Sequence, residues 1–284
     1  MLHQRFRTLC IACALMLCAC GGSSSSSSSS APPESGNENP QVTPSTPPPT
    51  AQTVIKALAL YTQSLNGVYS DTDLRIQHLF NVTNDVLQTS GLDIEIELVH
   101  LEQVDYPDGF DITRALEDLT GAQHPAFSNV RALRDQVAAD VVVLFRPYAN
   151  DGYCGYAWIG GYQTDGDFSH PAEPDYAYSA VAANCSDYTL LHELGHNMGL
   201  AHSRREAPDG GSLPYGTGFG VDNDFVTIMA TASEFNAVQV PRLSSPRLKC
   251  NAQACGVASS NPAAGADAVQ ALTISKDQIA SYRD

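Results

Sequence analysis

The chain is poor in positive charge. Across 284 residues, 15 Lys and Arg stand against 31 Asp and Glu, a formal net charge of −16. So acidic a surface repels phosphate backbones, which argues against nucleic acid as a partner. A long apolar run is missing as well: the stretch from Leu9 to Leu17 is too short to span a bilayer as a stable helix. Tryptophan occurs once, at Trp158, where packing in a core or cleft is the simplest role. The four cysteines beyond residue 20 are Cys154, Cys185, Cys250 and Cys255, and no Cys-x-x-Cys spacing exists among them. In an exported chain that pattern points to disulfides rather than to cysteine-bound zinc, with three pairings open. Between Cys20 and Thr53 there is neither a foldable pro-region nor a cysteine to cap a metal, so latency by a propeptide is not indicated.

What is present begins with an address. His3, Arg5 and Arg7 precede the apolar stretch, which ends Leu17-Cys18-Ala19-Cys20-Gly21-Gly22. This resembles a bacterial lipoprotein box, with Cys20 as the lipidated first mature residue. Residues 1–19 are then a signal peptide. Residues 20–52, with the serine run Ser23 to Ser30 and Pro47-Pro48-Pro49, form a disordered tether that cannot bury a core. The expected location is the cell envelope, lipid-anchored, at the outer membrane because Gly21 rather than Asp follows Cys20. The alternative is an ordinary secretory signal and a secreted protein. Residues 53–284 have globular composition and are long enough for one domain.

The domain is organised around His192-Glu193-Leu194-Gly195-His196-Asn197-Met198-Gly199-Leu200-Ala201-His202. On a helix, His192 and His196 share one face and can grip one cation together. Leu190, Leu191, Leu194 and Met198 fall on the opposite face, and Ser186 or Asp187 is expected as the N-cap. Gly199 lets the helix stop and the chain reverse. His202 then comes round as a third imidazole, leaving one open position, as catalytic zinc requires. Zinc brings the pKa of water down to about 7 and polarises a carbonyl, and Glu193 is placed as the general base.

The full pattern resembles the metzincin zinc peptidases, named also for a methionine turn beneath the metal. Thr227-Ile228-Met229-Ala230 fits that turn, with Met229 as packing and not a ligand. Three further stretches make the text most similar to bacterial reprolysin-like enzymes, including the peptidyl-Asp metalloendopeptidases. They are Ala139 to Leu144, Tyr153 to Ile159, and the helix itself. One residue departs from those families: Ser203 stands where they usually carry Asp. The resemblance implies endopeptidase activity on extracellular or periplasmic proteins. Together with proximity in sequence, it favours the disulfides Cys154–Cys185 and Cys250–Cys255. It also implies that peptide substrates pair with an edge strand, expected at Tyr176 to Ala183. Arg242, after the methionine turn, is a candidate for a specificity pocket that would take an acidic side chain.

The expected architecture is α/β: a twisted mixed sheet with helices in the upper half, then an irregular, loop-rich lower half with a C-terminal helix. Val54 to Tyr61, Leu92 to Leu101 and Asp140 to Phe145 read as strands. Asp71 to Thr89, spaced by Leu74, His78, Val82 and Val86 and closed by Gly91, reads as a helix, as do Arg131 to Ala138 and Ala266 to Tyr282. Asp222-Asn223-Asp224 offers oxygen ligands for calcium, but three residues do not make a site and a solvated turn is the reading. His78, His100, His124 and His170 lack ligand spacing. No partner subunit is indicated. Two rivals stand beside the peptidase. One is a metal-dependent capture lipoprotein, which would not need Glu193; the other is a zinc hydrolase with a distant Glu ligand, which would not need Gly199 and His202.

Overall fold

The computed structural model describes residues 52–283. The expected signal peptide, the lipidated Cys20 and nearly all of the tether lie outside the described residues. Strand β1 (Thr53–Thr62) opens the fold and is followed by helix α1 (Thr72–Thr89), strand β2 (Ile94–Val104) and helix α2 (Ile112–Gly121). Then come α3 (Val130–Gln136), β3 (Val141–Arg146), a three-residue β4 (Gly155–Ala157), β5 (Tyr178–Ala182) and the histidine-bearing helix α4 (Thr189–Asn197).

These strands form one sheet in the order β2-β1-β3-β5-β4. The first four run parallel, and β4 pairs antiparallel with β5. Side chains alternate across the sheet, and both faces are covered. Ile55, Ala57 and Ala59 of β1 pack toward α1 and α4, while Leu58 and Leu60 pack toward α2. Continuous apolar runs in β1 and β3 follow from that double burial: every residue of β3 is buried.

The sheet edge differs from the one expected at Tyr176 to Ala183. Tyr178–Ala182 is an inner strand, because β4 lies outside it and is itself the edge. Helix α1 also presents a different face from the expected one. Asp71 caps it by accepting from Leu74 N at 2.9 Å, and Gly91 follows at φ +79°. Ile76, Leu79, Phe80, Thr83, Val86 and Leu87 are the buried residues toward the sheet, whereas Leu74 is 66% exposed. Helix α2, absent from the expected elements, buries Ile112, Ala115, Leu116 and Leu119 at helical spacing behind an Asp111 cap.

After α4 the chain has little regular structure. Short strands β6 (Gly220–Val221), β7 (Phe225–Val226) and β8 (Val238–Gln239) form a small sheet beside the four-residue helix α5 (Ala232–Phe235). A hairpin of β9 (Lys249–Cys250) and β10 (Gln253–Ala254) follows. Helix α6 (Ala268–Ile279) then returns to the upper half. There Ser275 Oγ donates to Met198 O at 3.1 Å, and Lys276 Nζ and Asp277 Oδ1 both bond Thr53 of β1. Among the described residues no helix is long and apolar enough to cross a membrane.

Candidate metal centre and active site

Helix α4 is held by its apolar face. Leu190, Leu191, Leu194 and Met198 are all at most 1% exposed. Neither expected cap residue caps it. Tyr188 occupies the N-cap; Ser186 instead closes the preceding turn, its carbonyl accepting from Thr189 N at 3.1 Å. Asp187 is engaged elsewhere, 2.6 Å from Arg75 Nη1 and 3.3 Å from His78 Nε2 on α1. The C-terminus ends as Gly199 suggests. Gly199 has φ +92°, its N–H donates to His196 O, and Leu200 N–H donates to Gly195 O. That pair of bonds is the Schellman closure, which satisfies carbonyls the helix would otherwise leave open.

The reversal delivers His202 to the other two histidines. His202 Nε2 lies 3.0 Å from His192 Nε2 and 3.2 Å from His196 Nε2. Nitrogens held tetrahedrally at about 2.0–2.1 Å from a cation stand roughly 3.3–3.4 Å apart, so this cluster is spaced to share one ion. The outer nitrogens fix the tautomers. His192 Nδ1 faces Ile228 O at 2.8 Å and His196 Nδ1 faces Leu200 O at 2.9 Å. A carbonyl only accepts, so both Nδ1 atoms carry hydrogen and both Nε2 lone pairs face inward. Burial, with neighbouring imidazoles, brings His192 down to about 4 and His196 well below its ordinary value. Both are therefore in the neutral form that binds metals.

Glu193 is 4% exposed beside this cluster, and burial pushes its carboxyl up to about 8. A nearby dication would oppose that shift. Met229 is fully buried beneath the helix, its Sδ 2.6 Å from where a β-carbon on Gly195 would stand. The preceding Ile228 supplies the carbonyl that orients His192, so the turn reaches the cluster through backbone as well as packing.

The cluster opens into a cleft of about 860 Å³ whose lining includes Tyr153, Gly155, Tyr156, Tyr188, Pro208 and Asp209. Edge strand β4 forms part of its wall. The disulfide Cys154–Cys185 fixes it, joining the residue before β4 to the loop after β5, with α-carbons 5.8 Å apart. Cys250–Cys255 closes the β9–β10 hairpin. Trp158 extends the wall into the core: its Nε1 donates to Thr120 Oγ1, and Asn197 Nδ2 ties its carbonyl to α4.

Arg242 is not brought to the cleft. Its Nη1 donates to Thr89 Oγ1 at 3.0 Å and to Pro241 O at 2.7 Å, at the far end of α1. Only its backbone reaches the methionine turn, where its carbonyl accepts from Ile228 N. The acidic turn scatters its side chains as well. Asp222 binds Arg205, Asn223 accepts from Asn236, and Asp224 accepts from Asn251 and Gln253.

Two residues of the site escaped the sequence reading. Gly155 abuts Glu193, and nothing in its sequence neighbourhood announces that contact. Glu206 stands 3.7 Å from His202 Nδ1 and accepts from Ser203 and Thr231. Burial alone would raise its carboxyl, but those hydrogen bonds outweigh it and hold the group below the ordinary value. Its position four residues after His202 was the available signal.

Comparison with known proteins agrees with this geometry. The family model described as Metallo-peptidase family M12B Reprolysin-like matches residues 48–261. A peptidyl-Asp metalloendopeptidase of Pseudomonas aeruginosa (strain PAO1) is 31% identical over 257 residues, covering 83% of this chain and 41% of its own. A protein of the same name from Stenotrophomonas maltophilia is 25% identical over 237 residues, 81% of this chain and 52% of its own. The chain thus spans two-fifths to half the length of these relatives. A solved structure described as that of a chaperone-substrate complex superposes with a TM-score of 0.62 at 24% identity, over 82% of this chain and 40% of that one, which speaks to the fold. With the match extending over most of its length, the chain belongs to the reprolysin-like M12B metallopeptidases.

Proposed function

We propose that the chain is a zinc-dependent endopeptidase. The observation that carries this reading is the convergence of three inward-facing imidazole Nε2 atoms beside a buried carboxyl group, at the floor of an open cleft. His192, His196 and His202 would hold the ion, and their nitrogen donor set suits zinc. Zinc at such a site is a Lewis acid that polarises a carbonyl and makes water nucleophilic near neutral pH. Glu193 takes the proton from the attacking water and passes it to the leaving amine. The β4 backbone offers an unpaired edge for an extended peptide, and the tyrosine wall holds its side chains.

The relatives' name includes aspartate, but the proposed activity carries no aspartate preference. Among the described residues that line the cleft there is no Lys or Arg, while Asp209 and Glu206 are present. The test is digestion of an unbiased peptide library by the full chain. Cleavage that phenanthroline abolishes and zinc restores supports the reading. A wild type that binds peptides without cutting them, with binding unchanged in Glu193→Ala, would make it a capture protein instead.

The anchor belongs to the same proposal. The box ending at Cys20 and the Ser/Pro-rich stretch after it support acylation and a place in the cell envelope. A Cys20→Ser chain still found with membranes, and a wild type without the mass of a lipid, would remove that part and leave the enzyme reading intact.

A further inference from the structure

His202 lies beyond the end of α4, so the helix does not fix where its imidazole points. The three side chains after Ser203 do. Arg204 Nε donates to Gly265 O at 3.0 Å, and its Nη1 donates to Pro208 O at 2.9 Å. Arg205 lies over the Phe235 ring, 4.0 Å from its centroid, and its guanidinium bonds both oxygens of Asp222. Glu206 turns the opposite way, into the cleft. Its Oε2 accepts from Ser203 N at 3.2 Å, Ser203 Oγ at 2.6 Å and Thr231 N at 3.3 Å. A carboxylate gripped by three donors through one oxygen cannot swing freely. Its other oxygen, Oε1, is thereby held 3.7 Å from His202 Nδ1.

That distance is too long for a hydrogen bond, so what Oε1 offers His202 is charge. His192 and His196 each have a neutral backbone carbonyl at Nδ1; His202 alone of the three has a carboxylate there. Three neutral imidazoles leave the charge of a dication uncompensated; of the carboxylates lining the cleft, Glu193, Glu206 and Asp209, Glu206 is the one paired with a histidine of the cluster. We propose that Glu206 is the positioning residue of the third ligand. Through Ser203 and Thr231 it sets the His202 loop against the methionine turn, and through Oε1 it strengthens the hold of His202 on the metal. This role rests on the zinc reading above.

The test compares the full chain with Glu206→Gln and Glu206→Ala, each stripped of metal and titrated with zinc against a chromogenic chelator. The metal-free proteins are melted in parallel. Glutamine keeps an oxygen to accept from Ser203 and Thr231 but removes the charge. Glu206→Gln should bind zinc about 10–100-fold more weakly, the usual effect of losing an outer partner of a ligand, with an unchanged metal-free melt. Glu206→Ala, which loses both functions, should bind more weakly still. Equal affinity in wild type and Glu206→Gln overturns the charge role; equal affinity in Glu206→Ala overturns positioning too. A Glu206→Gln chain whose metal-free fold collapses makes Glu206 a stability residue and likewise overturns the proposal. A wild type that takes up no zinc defeats the zinc reading itself, before any substitution is compared.

Discussion

Gly155 of β4 lies so close to Glu193 that a β-carbon built on it would overlap the carboxyl oxygen Oε1 and carbon Cδ. The edge strand is therefore also the wall that sets the Glu193 side chain. In Gly155→Ala either the strand or the carboxylate must move. Turnover should fall by about 10²-fold, the scale of an ångström-sized misplacement at a reacting group. Bound zinc should stay at one per chain, because no histidine is touched. Steady-state kinetics beside metal analysis reads both; wild-type turnover would show that Glu193 has room the contact denies.

Glu193 and His202 should fail differently when removed. Glu193→Ala keeps all three imidazoles, so it should retain its metal and lose turnover by about 10²–10⁴-fold, the contribution of a positioned proton acceptor. His202→Ala leaves two imidazoles on one helical turn and should lose the metal itself. Atomic absorption of the purified variants separates these outcomes. A metal-free Glu193→Ala would contradict the division of roles.

The two disulfides should differ in weight. Cys154–Cys185 spans 31 residues, and its removal should cost roughly 3–4 kcal/mol by loop-closure entropy. Cys250–Cys255 spans 5 and should cost about 2 kcal/mol on the same model. Only the first borders the cleft, so the Cys154→Ser, Cys185→Ser pair should also lower kcat/KM. Denaturant midpoints and activity of the two double variants test this. Equal effects on activity would mean that the bridge beside β4 does not shape the cleft.

Arg242→Ala should leave the cleavage profile unchanged, since the guanidinium is bonded to Thr89 and lies outside the cleft lining. Library profiles of wild type and variant provide the check. A profile that loses a preference for acidic side chains in the variant would bring Arg242 back into substrate recognition.

Much of the site could be read from spacing, because helical periodicity is a local property. His192 and His196 one turn apart, with Leu190, Leu194 and Met198 opposite, are consequences of 100° per residue and need no tertiary information. Gly199 could be placed by its backbone freedom, at φ +92°, although the close approach of Ser212 and Phe168, which leaves no room for a β-carbon, could not. Contacts between distant segments were not legible. The three residues of β4 carry too little pattern to announce a strand, so Tyr176 to Ala183 looked like the edge. Helix α2 was within reach, since Ile112, Ala115, Leu116 and Leu119 behind Asp111 satisfy the usual signals. Arg242 shows what position next to the methionine turn leaves open: the guanidinium bonds Thr89 and Pro241 and is not among the residues lining the cleft. Ser203, the departure from the resembling families, finds its explanation only in space, as a donor to Glu206.

The anchors of the His202 loop have a consequence in time. Helix α4 and its two histidines can dock once β1, β3 and β5 have paired, all of which precede it in the chain. The third histidine is fastened by Asp222, Thr231 and Gly265, which come later in synthesis and close their contacts over long sequence separations. Long-range closures are the slow steps of folding, and synthesis runs from the N-terminus. A chain that has docked α4 but not yet closed this loop thus carries His192 and His196 on one helical turn while the third histidine is still unset.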